Sequence, residues 1–169
     1  MGFVFTSVFG TLLHFAFDIS GKSILVAPFS AVNESIFEHM KLLYFPMLIF
    51  ALIQSKFYKD EYKSFWCIKL LGFLLGLILI PVLYYTYTGI SGKSIDFINI
   101  AIFFVAAAST YILETKLFSS NFKCQFGNTL SLLIILCIGI IFVLLTFFPF
   151  KIPLFRDPMT GTYGYKNKK

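Results

Sequence analysis

Long apolar runs dominate the chain, and most of its polar residues fall in the short stretches between those runs. A helix needs about 20 mostly apolar residues to cross the hydrocarbon core of a bilayer. By that criterion the pattern predicts five membrane-spanning helices, over residues 2–18, 35–55, 64–85, 95–113 and 129–148. A further apolar run, residues 24–32, contains a proline and is too short to span. We expect it to be a loop packed at the membrane surface.

The composition supports this interpretation. Of the 169 residues, 58% are hydrophobic, 23 are Phe and 13% are charged, and the mean hydropathy is +0.84. An average soluble chain is about one quarter charged. This chain has too few charged residues to form a water-exposed surface. Soluble enzymes, nucleic-acid-binding domains and disordered tails are therefore excluded. The prediction is an all-α, multi-pass protein of the cell membrane, with lysines that anchor it to lipid head groups.

Five crossings would place the first loop, the third loop and the C-terminal tail on one side, which we call the site face. We divide the chain into a five-helix domain, residues 1–150, and a tail, residues 151–169. The lysines of the second and fourth loops favour a cytoplasmic N-terminus and an extracytoplasmic site face. The basic end of the tail counts in the opposite direction, through Lys166, Lys168 and Lys169.

Ionisable residues in or beside the predicted spans are the candidate functional residues, because charge at membrane depth is costly. His14 and Asp18 are spaced i, i+4 on the first helix, and polar residues cluster at the start of the second. Both histidines, His14 and His39, should therefore lie near the same membrane surface. The candidate ligand-binding residues are His14, Asp18, Asn33, Glu34, Glu38, His39, Lys41, Arg156 and Asp157.

Part of this pattern has a structural explanation. Ser35-x-x-Glu38 has the spacing of a capping box, and Lys41 can pair with Glu38 and extend to the surface. Capping does not account for Glu34 or His39.

The tail is rich in turn formers between residues 151 and 164, with Asp-Pro and Thr-Gly pairs. We expect it to fold back as a cap that brings Arg156 and Asp157 toward Glu34, Glu38 and His39. The alternative is an exit turn followed by a solvated basic end.

Three cysteines without a CxxC motif predict no disulfide framework. Gly72-x-x-x-Gly76 predicts close packing of the third helix against another helix of the same chain.

Several motifs together resemble an uncharacterised family of small bacterial polytopic membrane proteins. The resemblance covers nearly the whole chain and implies an integral membrane protein of about five helices. Because the polar motifs fall in the first span, the first and third loops and the tail, it also implies one shared site, without an activity. The motifs are His14-Phe15 with Asp18-x-Ser20, Val32-Asn33-Glu34-Ser35-x-x-Glu38-His39-x-Lys41-Leu42 with Phe45-Pro46, Tyr84-Tyr85-Thr86-Tyr87-Thr88-Gly89, and Pro153-Leu154-Phe155-x-Asp157-Pro158-x-Thr160-Gly161-Thr162-Tyr163-Gly164.

Three functions remain open from the sequence. The first is a membrane-embedded metal site, for example a zinc hydrolase, with metal ligands drawn from His14, Glu34, Glu38 and His39. The second is haem binding between axial ligands His14 and His39. The third is a noncatalytic protein whose polar cluster binds an ion, a small molecule, a lipid head group or a partner protein, as a homo-oligomer or in a complex.

Overall fold

The computed structural model describes residues 1–120, 122–125 and 127–165. It contains five α-helices, followed by a single 3-10 turn at Pro153–Phe155. All five α-helices are long and apolar enough to cross a membrane, and the described residues form no strand beyond an isolated bridge. The predicted all-α, five-helix fold class is confirmed. The helices are α1 (Gly2–Ile19), α2 (Ile36–Tyr58), α3 (Phe65–Ser91), α4 (Asp96–Ser119) and α5 (Asn128–Phe147).

Two of the helices form the centre of the bundle. In their most apolar stretches, 61% of α2 and 56% of α3 is buried, against 28% for each of α1, α4 and α5. The outer helices keep large side chains exposed, among them Leu12, Phe97 and Ile140. A surface of this kind is suited to hydrocarbon rather than to water.

The third and fourth helices each end six residues later than predicted, at Ser91 and Ser119. The hydroxyl-rich end of α3 stays helical because Thr86 and Thr88 donate hydrogen bonds back to carbonyls one turn earlier, at 2.6 and 2.8 Å. Thr115 does the same in α4. These bonds satisfy the hydroxyl groups within the helix itself. The helices therefore continue through the polar residues at which the sequence pattern predicted their ends.

The glycines of α3 allow α4 to approach closely, as predicted. A Cβ atom on Gly72 would lie 2.7 Å from Oε1 of Glu114, and one on Gly76 would lie 2.6 Å from Oγ1 of Thr110. In this space Glu114 accepts a hydrogen bond from the Lys69 ammonium at 2.6 Å, and both residues are almost fully buried. The sequence pattern did not predict this ion pair, because the two residues lie on different helices.

A disulfide bond joins α3 to the α4–α5 connection, so the expectation of no disulfide was wrong. Cys67 lies near the start of α3 and pairs with Cys124, which is 57 positions later in the chain. Packing of α4 and α5 against α3 brings the two residues together, and no local motif could have indicated this. Cys137 is a free cysteine.

We predict that the disulfide can be detected by counting thiols. Protein denatured without reductant should react with a maleimide at one cysteine per chain, and at all three after reduction. Mass spectrometry of the alkylated chain provides the measurement. Reaction of three cysteines before reduction would contradict the bond.

The disulfide also predicts an orientation. Disulfides persist in oxidising compartments, so the second and fourth loops should lie outside the cytoplasm and the site face inside. This reverses the orientation that the loop lysines favoured. In a Cys137→Ser background, an impermeant maleimide should label Lys59→Cys in intact cells, and Lys93→Cys only after permeabilisation. The opposite labelling pattern would restore the charge-based orientation.

Candidate functional site

Three of the predicted site residues converge on the site face, and we call them the His–Glu cluster: His14, Glu34 and His39. Nε2 of His14 lies 3.8 Å from Oε1 of Glu34, and Nε2 of His39 lies 3.6 Å from Oε2. One potential ligand atom from each residue lies within 4.8 Å of the other two. The three donors come from α1, the first loop and α2, so the cluster depends on the tertiary fold.

Close packing of α1 on α2 brings the histidines together. A Cβ atom on Gly10 would lie 2.8 Å from the carbonyl oxygen of Leu42 and 2.6 Å from Cζ of Phe103. Only glycine fits this contact without displacing a neighbour. His14 lies one turn beyond Gly10, and its ring centroid is 5.8 Å from that of His39.

Glu34 is positioned by anchors on both sides of it in the first loop. Asn33 Oδ1 accepts a hydrogen bond from the Ser35 amide at 2.9 Å, and Asn33 Nδ2 donates to the carbonyl of Gly164 in the tail at 3.4 Å. The Val32 amide donates to the Glu38 carboxylate at 3.0 Å. The side chain of Glu34 is 49% exposed, so the cluster can be reached from water.

The hydrogen bond of His39 determines what its other nitrogen can do. Nδ1–H donates to the carbonyl of Ser35 at 2.9 Å. In the neutral ring Nε2 is then an acceptor, and it faces a carboxylate oxygen of Glu34. Two acceptors 3.6 Å apart are stabilised by a cation shared between them. A proton or a metal ion can take this role.

Sequence patterns did not single out one further acidic residue on this side of the bundle, Asp96. Asp96 in the first turn of α4 interacts electrostatically with His39. Asp96 follows the third loop and therefore lies on the site face. Its position in the sequence could have identified it as a candidate site residue. The exposed carboxylate adds negative charge on the α4 side of the cluster.

Glu38 and Lys41 were candidate site residues, but they form a separate buried ion pair. The Lys41 ammonium donates to Glu38 at 2.7 Å, to the Ala27 carbonyl at 3.0 Å and to the Thr146 hydroxyl at 2.8 Å. Lys41 is fully buried, so it does not extend to the surface. Ser35 is the N-cap residue of α2, but its side chain makes no capping bond. The predicted capping box does not form.

The tail folds against the helices, but Arg156 and Asp157 do not join the cluster. The Tyr165 amide donates to the carbonyl of Thr146 at 2.8 Å, which fixes the end of the described tail on α5. Asp157 accepts two amide hydrogen bonds within its own turn. Arg156 pairs with Tyr163 in a backbone bridge, and its side chain is exposed.

Asp18, one turn beyond His14, also lies outside the cluster. It is 78% exposed, and its carboxylate lies 4.0 Å from the ammonium of Lys22.

A cavity of about 240 Å³ extends from the His–Glu cluster between α1 and α4. His14 and His39 form its polar end, and the rest of the wall is largely apolar, with Leu42, Phe103 and Phe104.

Comparison with known proteins places the chain in a family without adding a function. A model described as a family of unknown function, DUF6512, matches residues 1–165. No curated protein and no solved structure matches the chain significantly.

We predict that the Glu38–Lys41 pair is structural. Lys41→Met leaves a buried carboxylate unpaired and should destabilise the protein by about 3–5 kcal/mol. The double variant Lys41→Met/Glu38→Gln should regain part of that loss, because it buries no charge. Unfolding of the purified protein in detergent micelles provides the measurement. Lys22→Met, at an exposed pair, is the control and should change stability by less than about 1 kcal/mol.

A Lys41→Met variant as stable as Lys22→Met would show that the buried pair does not support the fold.

Proposed function

The chain belongs to the family of unknown function DUF6512, and we propose that it is a multi-pass membrane protein that binds a zinc ion at its His–Glu cluster. One observation carries the proposal. Two imidazole nitrogens and a carboxylate from three separate segments come within 4.8 Å of one another, and the rest of the fold holds them there.

The donor set suits zinc. Catalytic zinc sites use three protein ligands, including sets of two histidines and a glutamate, and keep the fourth position for water or substrate. Tetrahedral bonds of 2.0–2.1 Å place ligand atoms about 3.3 Å apart. Nε2 of His39 and Nε2 of His14 lie 3.6 and 3.8 Å from Glu34 oxygens, so small side-chain movements would complete the site. The hydrogen bond from Nδ1 of His39 to a carbonyl is a typical outer contact of a metal-bound histidine.

The same geometry favours a metal ion over haem. Nε2 of each histidine faces the carboxylate of Glu34. Axial haem ligands need a porphyrin between them, and here the carboxylate takes part of that space.

Hydrolysis is a second candidate function, and the observation that favours it is the three-donor cluster, which leaves a fourth position for water. A zinc ion with an open position lowers the pKa of bound water and so supplies a nucleophile at neutral pH. Asp96, an exposed carboxylate in the first turn of α4 and outside the donor set, is the candidate general base. Asp96→Asn should then abolish hydrolysis of an ester substrate and retain the metal.

We predict that the purified protein binds one zinc ion per chain. His14→Ala and His39→Ala should each lower zinc affinity by more than about tenfold, since even outer contacts of a zinc site contribute 10- to 100-fold. Metal analysis after dialysis against a zinc buffer provides the measurement. Replacement by cobalt adds a visible absorption band that reports tetrahedral geometry.

Asp18→Asn is the matched control, because Asp18 is an acidic residue one turn from His14 that lies outside the cluster. It should leave zinc affinity within about twofold of the wild type, which is the scale of a lost exposed ion pair. A wild-type protein without zinc, or equal losses in Asp18→Asn and His39→Ala, would overturn the proposal.

A further inference from the structure

The cavity beside the His–Glu cluster opens on the outer surface of the bundle. Phe15 of α1 and Ile100 of α4 line it, and each is 56% exposed. Leu42 and Phe103 line its buried side. In a five-helix membrane bundle, an outer surface formed by such residues faces the acyl chains of lipids. The mouth of the cavity is therefore open to the bilayer.

The two ends of this cavity differ in chemistry. At one end His14 and His39 meet Glu34, which is half exposed and accessible from water. At the other end the wall is apolar and opens between α1 and α4. An occupant that satisfies both ends needs a polar head and a hydrocarbon chain. Membrane lipids have both.

The size of the cavity favours an occupant narrower than a helix. A helix is about 10 Å wide, and a single turn rises 5.4 Å, so one turn fills about 420 Å³. The cavity holds about 240 Å³, which suits part of a narrow acyl chain.

We propose that the cavity binds a phospholipid of the surrounding bilayer, with one acyl chain between α1 and α4 and the phosphate at the zinc ion. This inference rests on the proposed zinc site, because the phosphate would take the open fourth position. Zinc accepts oxygen ligands at about 2.0–2.2 Å, and lipid phosphates lie at the depth of the membrane surface where the cluster is found. The substrate class of the site is then a phospholipid presented from within the membrane.

A photoreactive lipid tests the proposal. The full chain is placed in phosphatidylcholine nanodiscs that contain phosphatidic acid with a diazirine in the middle of one acyl chain. After illumination, mass spectrometry maps the labelled residues, and metal analysis of the same sample reports zinc. Labelling should concentrate on the α4 residues Ile100, Phe103 and Phe104, and chelation of zinc should lower it.

Ile100→Trp fills the mouth of the cavity and should reduce this labelling about tenfold, which corresponds to about 1.4 kcal/mol of binding. Val105→Trp is the matched control, because Val105 is on the same helix, is 50% exposed and does not line the cavity. It should leave the labelling unchanged. Both variants should retain zinc, because neither changes a residue of the cluster.

The outcomes separate the two proposals. Normal zinc content with labelling spread over the outer surface, or unchanged by Ile100→Trp, overturns the lipid site and leaves the zinc site in place. Labelling confined to the cavity but insensitive to chelation overturns the contact between phosphate and metal. Zinc-loaded protein without labelling at Ile100, Phe103 and Phe104 also overturns the lipid site. Wild-type protein without zinc is the result that overturns the proposed function.

Discussion

The geometry of the site face depends on one buried ammonium group. Lys41 of α2 donates hydrogen bonds to the first loop through Ala27, to α5 through Thr146 and to Glu38 on its own helix. Glu38 in turn accepts the amide of Val32. Two points of the first loop are thus tied to a charged pair that water does not reach. Because an unpaired charge at this depth is so costly, these contacts hold the loop firmly. Glu34 lies two residues after the anchored Val32, so the same contacts restrict its position.

The two buried ion pairs explain why charge within a span is an incomplete guide to function. At the other end of the bundle Lys69 contacts Glu114 at 2.6 Å and Gln54 at 2.5 Å. Aromatic rings surround its ammonium, with the centroids of Phe50 and Phe65 within 6 Å. Such groups are already satisfied by the protein. In the His–Glu cluster, by contrast, acceptor atoms face one another beside water, and this arrangement is a better guide to a binding site than charge or depth alone.

The sequence predicts features that depend on neighbouring residues, such as helices. It does not predict contacts between residues that are far apart in the chain. The five helices follow from the length of the apolar runs, and the shared depth of His14 and His39 follows from counting along two helices. The disulfide and the Lys69–Glu114 pair join residues 57 and 45 positions apart, so they depend on which helices are neighbours. Glu38 and Glu34 look alike in the sequence, but Glu38 faces the core and Glu34 the site, and only the packing distinguishes them.

The tail supports the site although no charged side chain of its described part, residues 151–165, enters the cluster. Gly164 accepts a hydrogen bond from Asn33, and the next residue donates its amide to Thr146 of α5. The hydroxyl group of Thr146 also accepts a hydrogen bond from the Lys41 ammonium. The tail, α5 and the first loop therefore meet at a common set of contacts directly behind Glu34. A movement of the tail would shift Asn33 and with it the carboxylate between the two imidazoles, so the turn-rich sequence of the tail is explained by what it holds in place.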